Sequence, residues 1–274
     1  MGQPQLFASD LDGTFLNDGK NFDKKHFGTI LTRLKENDAH FIVSTGRDLN
    51  IVTDLFKEFA GKVDIVADNG AIVLAADGKI LNTEVLAHQS LIDAIDVIEA
   101  MPFDMTRGAI FVGENKKFML NRHKNLLVMN LVFRKAVGVT NYVENLDEID
   151  EPILKVTFGF EETDTMFFIE QAQKKLAGAA HVTTSGYGSV DIVGTNVNKA
   201  SGIKFVAEHY GLDAHDLVAF GDGLNDLEML KSAHYPYAMP NGDPGLLEMF
   251  NVAIDDNKHD GVLRTIDEII NEKN

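Results

Sequence analysis

Four short apolar runs in this chain each end abruptly in a cluster of polar residues, and that repetition restricts the fold more than any other feature. Leu6-Phe7-Ala8 runs into Ser9-Asp10-Leu11-Asp12-Gly13-Thr14, and Ala39-His40-Phe41-Ile42-Val43 into Ser44-Thr45-Gly46-Arg47. Asp64-Ile65-Val66-Ala67 ends at Asp68-Asn69-Gly70, and Leu217-Val218-Ala219-Phe220 at Gly221-Asp222-Gly223-Leu224-Asn225-Asp226. Between the first three runs the apolar period becomes helical. Phe27, Ile30, Leu31 and Leu34 share one face after a capping Asp23, and Ile51, Val52, Leu55, Phe56 and Phe59 share another. Continuous apolar strands separated by amphipathic helices predict βαβ units, with a parallel sheet covered on both faces. Ligands of such sheets bind beyond the carboxyl ends of the strands, where all four polar clusters are expected.

The pattern changes after residue 70. Residues 71–85 read as a hairpin turning at Asp77-Gly78. Residues 84–188 mix helices at 90–100 and 164–176 with strands at 109–112, 118–122 and 153–160, which predicts an α+β module with an open antiparallel sheet. The parallel pattern then resumes with a helix at 200–210, the strand at 217–220, a helix containing Leu227, Met229 and Leu230, short strands at 237–239 and 252–254, and a last helix at 261–270. The expected fold is α/β: a Rossmann-like core formed by residues 1–83 and 190–274, with an α+β domain inserted at 84–189. A chain of 274 residues is long enough for both.

Along an extended strand end, Asp10 and Asp12 point to the same side, and two carboxylates so placed call for a divalent cation or a shared proton between them. Oxygen ligands of this kind suit Mg²⁺. With Thr45, Lys199, Asp222, Asn225 and Asp226 at neighbouring strand and helix ends, the set comprises a nucleophilic carboxylate, a hydroxyl, a cation and further metal-binding carboxylates. Phosphoryl transfer through an aspartyl-phosphate uses those groups. The formal net charge of −17 argues against nucleic acid or an anionic membrane as partner, so a phosphate site must be built locally. Absence of cysteine excludes disulfides, thiolate metal sites and cysteine nucleophiles. No basic-then-apolar leader and no apolar run near the ~18 residues of a membrane span is visible, so a soluble, cytoplasmic protein is expected, as a monomer or weak homodimer.

The chain resembles a haloacid dehalogenase superfamily phosphatase of the Cof type, subfamily IIB. Asp10-Leu11-Asp12-Gly13-Thr14 matches the first motif, Ser44-Thr45-Gly46-Arg47 the second, Asn198-Lys199 the third and Gly221 to Asp226 the fourth. Asn69-Gly70, Ala238-Met239, Asp255-Asp256-Asn257 and Asp260-Gly261-Val262 extend the likeness over the parallel domain. The resemblance implies that Asp10 is the nucleophile and that Asp12 is general acid and then base, its backbone carbonyl joining the Mg²⁺ shell. It implies that Thr45, Gly46, Arg47, Asn69, Lys199 and Asn225 line the phosphate and substrate site, that Asp222 ligates the metal, and that Asp226 supports it. The inserted domain would be a C2B-type cap reading the leaving group of a small phosphorylated metabolite, sugar phosphates leading. Phe15 stands where the family commonly has leucine, while Asn196, Ala200 and Pro240 stand where glycine is frequent.

Several of these residues also suit plainer roles. Thr45 fits a helix N-cap, Asp226 a first-turn acid, and Arg47 and Asn69 loop-shaping positions. A lysine at a helix start is disfavoured by the dipole, so Lys199 there points to an anion it must hold. Arg107, Lys116, Lys117, Arg122, Lys124, Arg134 and Lys135 face a single acid, Glu114, within residues 107–135; that run reads as a solvated face before it reads as a steering patch. His123 and Tyr187 read as structural, and Phe158, Phe160, Phe167 and Phe168 as the core of the inserted domain. A phosphotransferase or mutase using the same aspartyl-phosphate, and a non-catalytic sensor of a phosphorylated ligand, are the alternatives. The first of these transfers the phosphoryl group to an alcohol, and the second turns nothing over.

Overall fold

A computed structural model describes residues 4–124, 138, 139, 141–186 and 188–271. The chain begins with β1 (Leu6–Ser9), α1 (Lys24–Glu36), β2 (His40–Ser44), α2 (Leu49–Leu55), β3 (Val63–Ala67), β4 (Ile72–Leu74) and β5 (Ile80–Thr83). It continues through α3 (His88–Glu99), β6 (Arg107–Gly113), β7 (Lys117–Leu120), β8 (Asn141–Val143), β9 (Ile153–Gly159), α4 (Glu162–Lys175), β10 (His181–Gly186) and β11 (Ser189–Val193). It ends with α5 (Lys199–Tyr210), β12 (Leu217–Gly221), α6 (Leu227–Ser232), β13 (Tyr235–Ala238), α7 (Pro244–Met249), β14 (Asn251–Val252) and α8 (Gly261–Asn271).

Two compact units result: Met1–Thr83 with Asn198–Asn274, and Glu84–Val197. The expected return to the first unit at residue 190 is too early. β11 pairs with β9 and β10 inside the second unit, because Val190 and Ile192 bury their side chains in that unit's core.

The first unit holds an eight-stranded sheet in the order β14-β13-β12-β1-β2-β3-β4-β5. Pairings from β14 through β3 are parallel, and the β3-β4 and β4-β5 pairings are antiparallel, as the hairpin pattern around Gly78 predicts. β1 lies between β12 and β2, so the strand order runs outward from it on both sides, the arrangement that opens a crevice at the carboxyl ends of these strands. Asp23 caps α1 by accepting from the His26 N–H, and the helix buries Phe27, Ile30, Leu31 and Leu34, the face expected from its spacing. The next helix stops at Leu55, sooner than its apolar spacing suggests; Phe59 is carried by a separate 3₁₀ turn, Lys57–Phe59.

Six phenylalanines fill the space under α1 and α2. Phe27 lies at the middle, its ring centroid 4.8 Å from Phe59, 4.9 Å from Phe41 and 5.0 Å from Phe15, and Phe22 and Phe56 complete the group. Phe15, the departure from the family's leucine, is thus absorbed by aromatic neighbours that suit its ring. On the other face, α5 packs against β3 at Gly202, where a Cβ would strike Val66.

The second unit holds a six-stranded sheet, β10-β11-β9-β6-β7-β8, antiparallel except for the parallel β7-β8 pair. α3 and α4 cover one face, and Phe158, Phe160 and Phe168 lie in the core between them, as expected; Phe167 is half exposed. The basic stretch is solvated at Lys116, Arg122 and Lys124, as expected, but not at Arg107. Arg107 donates to the Phe158 carbonyl and the Ser189 hydroxyl, Lys116 pairs with Asp150 and Arg122 with Glu99. His123 is buried, with Nε2 3.1 Å from Glu99 Oε1, in keeping with a structural role. Arg134, Lys135 and Tyr187 lie outside the described residues. Among the described residues no helix is long and apolar enough to cross a membrane.

Because Phe27 is fully buried among five other rings, Phe27→Ala should cost about 3–5 kcal/mol in urea unfolding, whereas Phe27→Leu should cost roughly 1.5 kcal/mol or less. Equal losses from both would show that the aromatic contacts, and not the filled volume, carry the stabilisation.

Candidate active site

The site begins where β1 runs out. The Asp10 N–H still donates to the Phe220 carbonyl at 3.0 Å, so β12 fixes the residue's backbone, and the residue is 6% exposed. Gly13 then turns the chain with φ +87°, and a Cβ there would strike the Asp222 carboxylate. Only glycine satisfies both conditions. Thr14 follows and donates its hydroxyl to Asp222 Oδ1 at 2.6 Å, which ties the loop after β1 to the loop after β12.

Lys199 is the first residue of α5. Asn198 caps the helix by accepting from the Ser201 N–H at 2.9 Å, while the Ser201 hydroxyl accepts from the Asn198 N–H at 3.0 Å. Gly70, at φ +103°, lets the loop after β3 press against the Asn198 carbonyl, where a side chain would collide. Thus held, the Lys199 ammonium is 1% exposed and donates to Asp10 Oδ1 and Asp226 Oδ1, each at 2.6 Å. Asp226 Oδ2 accepts the backbone N–H groups of Asp222 (2.9 Å) and Gly223 (3.0 Å). The anions that a buried lysine at a helix start requires are therefore Asp10 and Asp226.

Carboxylates outnumber this cation. Asp10, Asp222 and Asp226 each place an oxygen within 4.8 Å of the others. Burial pushes the Asp10 carboxyl well above its ordinary value, Lys199 opposes this, and the charges of Asp226 and Asp222 add to it. Burial and the charge of Asp226 push Asp222 up to about 6, against the Thr14 hydrogen bond and Lys199. Burial acts to lower the Lys199 ammonium, but Asp10 and Asp226 outweigh it and drive it upward. The surplus is negative charge on hard oxygen donors, so the residues present fit a divalent cation such as Mg²⁺. The Asp226 oxygens are already engaged by Lys199 and two backbone N–H groups, which suits a supporting place.

Asp12 is elsewhere. Its carboxylate receives a fork from Arg47, Nε to Oδ2 at 2.6 Å and Nη2 to Oδ1 at 2.7 Å, and a third hydrogen bond from Lys20 Nζ to Oδ1 at 2.6 Å. The Asp12 side chain is not part of the three-carboxylate cluster. Burial alone would raise this carboxyl, but the Arg47 and Lys20 hydrogen bonds outweigh burial and hold it below the ordinary carboxylate range. An acid that keeps its proton while Asp10 is ionised needs the opposite order, and the structure reverses it because two cations converge on the shallower carboxylate.

Thr45 is 1% exposed and its hydroxyl accepts from the Arg47 N–H at 3.2 Å, a turn contact; α2 has Asp48 as its N-cap, so Thr45 does not cap that helix. Asn69 is buried with φ +57°; its N–H donates to the Thr45 carbonyl, and its side chain lies under Gly46. The loops after β2 and β3 are thereby tied to each other. Asn225 is half-buried beside Gly223. Sequence spacing did not reveal Lys20 or Thr14. Lys20 belongs to a polar turn, Asn17 to Asn21, and stands at φ +57°, a conformation no pattern of residue types announces.

A family profile described as haloacid dehalogenase-like hydrolase matches residues 7–266. The chain belongs to this family. A 5-amino-6-(5-phospho-D-ribitylamino)uracil phosphatase of Escherichia coli (strain K12) is 29% identical over 270 residues, covering 97% of this chain and 96% of the relative. An HMP-PP phosphatase of Escherichia fergusonii is 24% identical over 243 residues, 88% and 86% of the two chains. Among solved structures, a Streptococcus mutans UA159 protein superposes with a TM-score of 0.87 at 25% identity over 98% of this chain and all of that one. A subclass IIB sugar phosphatase shares the fold with a TM-score of 0.77 at 15% identity, over 96% and 98%. The Cof-type haloacid dehalogenase assignment, with its α+β cap, stands on these matches, and hydrolysis of phosphate esters is the activity they support.

Titration of the Asp12 carboxyl by carbon-13 NMR in metal-free buffer tests the Arg47 fork. Because the fork favours the charged form, Arg47→Met should raise the Asp12 pKa, so its charge is lost at a higher pH as acid is added. An unchanged titration would show that Lys20 alone suffices.

Proposed function

We propose that the protein is a Mg²⁺-dependent phosphatase of small phosphorylated metabolites in which Asp10 carries the phosphoryl group between two half-reactions. The observation that carries this reading is the buried Lys199 ammonium, 2.6 Å from both Asp10 and Asp226, in a cluster that also includes Asp222. No purely structural demand explains three carboxylates and one lysine gathered where four strand-end clusters converge.

In the first half-reaction an Asp10 oxygen attacks phosphorus and the bond from phosphorus to the ester oxygen breaks. Asp12 gives a proton to that oxygen as the alcohol leaves. In the second, water attacks the phosphoryl group on Asp10, its proton passes to Asp12, the bond from phosphorus to Asp10 breaks, and phosphate departs. Lys199 neutralises phosphoryl charge while it keeps Asp10 in place, and Thr45 with nearby N–H groups holds the remaining oxygens. Asp10, Asp222 and the Asp12 carbonyl, supported by Asp226, would hold the Mg²⁺ ion, which withdraws charge from the phosphoryl oxygens when bound. The charged form of Asp12, which the Arg47 and Lys20 hydrogen bonds favour, is the one that the hydrolytic half requires, whereas the first half requires its proton.

For the substrate, the Escherichia coli relative supports a phosphorylated sugar or sugar alcohol, since its own substrate carries phosphate on a ribityl chain. Phosphate release should be measured from a panel of sugar, sugar-alcohol and nucleoside phosphates, with Mg²⁺ and after chelation, for wild type and Asp10→Asn. Release should need the metal, vanish in Asp10→Asn without loss of the folded circular dichroism spectrum, and rank sugar-type esters first. Retained activity in the variant would overturn the covalent route. Phosphorylation of an added alcohol without free phosphate would replace hydrolysis with transfer.

A further inference from the structure

The link between Gly13 and Thr14 is the weak point of the site. Thr14 holds Asp222 through its hydroxyl, yet the peptide preceding it belongs to a glycine in the left-handed region, whose backbone has more freedom to rotate than any other residue's. The N–H of that peptide reaches the Leu11 carbonyl only at 3.3 Å, so its carbonyl side must also be held if Asp222 is to present its oxygens steadily to a cation.

A side chain from the far end of the chain does so. Asn241, exposed on the loop between β13 and α7, donates Nδ2 to the Gly13 carbonyl at 2.7 Å. Its Oδ1 accepts the Asn257 N–H at 3.2 Å, so both ends of the amide are engaged and its orientation is set. Asn257, 5% exposed, in turn donates Nδ2 to the Leu16 carbonyl at 2.8 Å and grips the same loop three residues on. The Asn241 loop is also fastened to Asp222 itself. The Asp243 N–H donates to the Asp222 carbonyl at 2.8 Å, and a Cβ on Gly242 would stand 2.8 Å from that carbonyl oxygen.

We infer that Asn241 is a positioning residue for the metal-facing carboxylates: by locking the Gly13–Thr14 peptide it aims the Thr14 hydroxyl at Asp222. The inference rests on the phosphatase reading for the identity of the cation but not for the geometry. It does not make Asn241 a ligand, because its amide is spent on Gly13 and Asn257.

Direct binding of Mg²⁺, and of Mn²⁺ as its paramagnetic stand-in, should be measured by calorimetry and electron paramagnetic resonance, without substrate, on wild type, Asn241→Ala, Thr14→Val and the double variant. Loss of one hydrogen bond should weaken binding by Asn241→Ala about tenfold. Since Asn241 is exposed, the melting temperature of that variant should stay near that of wild type. If Asn241 acts through Thr14, the double variant should bind scarcely more weakly than either single variant. Unchanged metal affinity in Asn241→Ala, or losses that simply multiply in the double variant, would overturn the inference while leaving the phosphatase reading intact. A wild-type protein that binds neither metal would overturn both. A fall in affinity matched by a large fall in melting temperature would reduce Asn241 to a general structural contact and would also refute it.

Discussion

The structure depends on one buried ammonium. Lys199 cannot stay charged behind 1% exposure without anions, and Asp10 and Asp226 cannot stay side by side without a cation, so each makes the others' burial tolerable. These residues come from the end of β1, the start of α5 and the loop after β12, and their pairing therefore closes the centre of the parallel sheet across almost the whole sequence. The balance is incomplete: Asp222 joins the same cluster, and burial first and the neighbouring carboxylates after it displace its carboxyl and that of Asp10 upward. Electrostatics thus both hold the loops together and leave the negative surplus that a divalent cation would relieve.

That closure needs the loops to approach more tightly than ordinary side chains allow. Gly13 against Asp222, Gly70 against Asn198 and Gly242 against the Asp222 backbone are contacts of main chain with neighbour, not of side chain with side chain. The crevice at the centre of the sheet explains why these contacts gather there. β1 has β12 on one side and β2 on the other, so the loops leaving the three strands meet over it. The cluster of phenylalanines under α1 and α2 then supplies the bulk on which the loop after β1 rests, with Phe15 and Phe22 on either side of the turn that carries Lys20.

Most of the fold was legible because its signals are local. Unbroken apolar runs such as Phe41 to Val43, the helical spacing of Phe27 to Leu34 and the Asp77-Gly78 turn each specify an element without reference to the rest of the chain. β10 and β11 escaped because Val182, Val190 and Ile192 are interleaved with threonine, serine and aspartate, and only pairing with β9 shows where they belong. The site divides along the same line. Asp10, Lys199, Asp222 and Asp226 could be recognised as one set, since their residue types at successive element ends have few other uses. Lys20 and Asn241 could not, since a lysine in a polar turn and an asparagine after a proline carry no spacing, and their partners are chosen by backbone directions alone.

The same distinction governs the two aspartates of the first motif. Spacing alone treats Asp10 and Asp12 as equivalent, two residues apart on one strand end. Burial separates them: Asp10 sits deep among other carboxylates, while Asp12 lies nearer solvent, where Arg47 and Lys20 can both reach it. An electrostatic order that keeps Asp12 ionised favours taking a proton from water over giving one to a leaving alcohol. For Asp12 to serve both halves of the proposed reaction, its grip on those two cations has to loosen when a phosphate ester arrives, and the ester's own negative oxygens are the natural competitors for them.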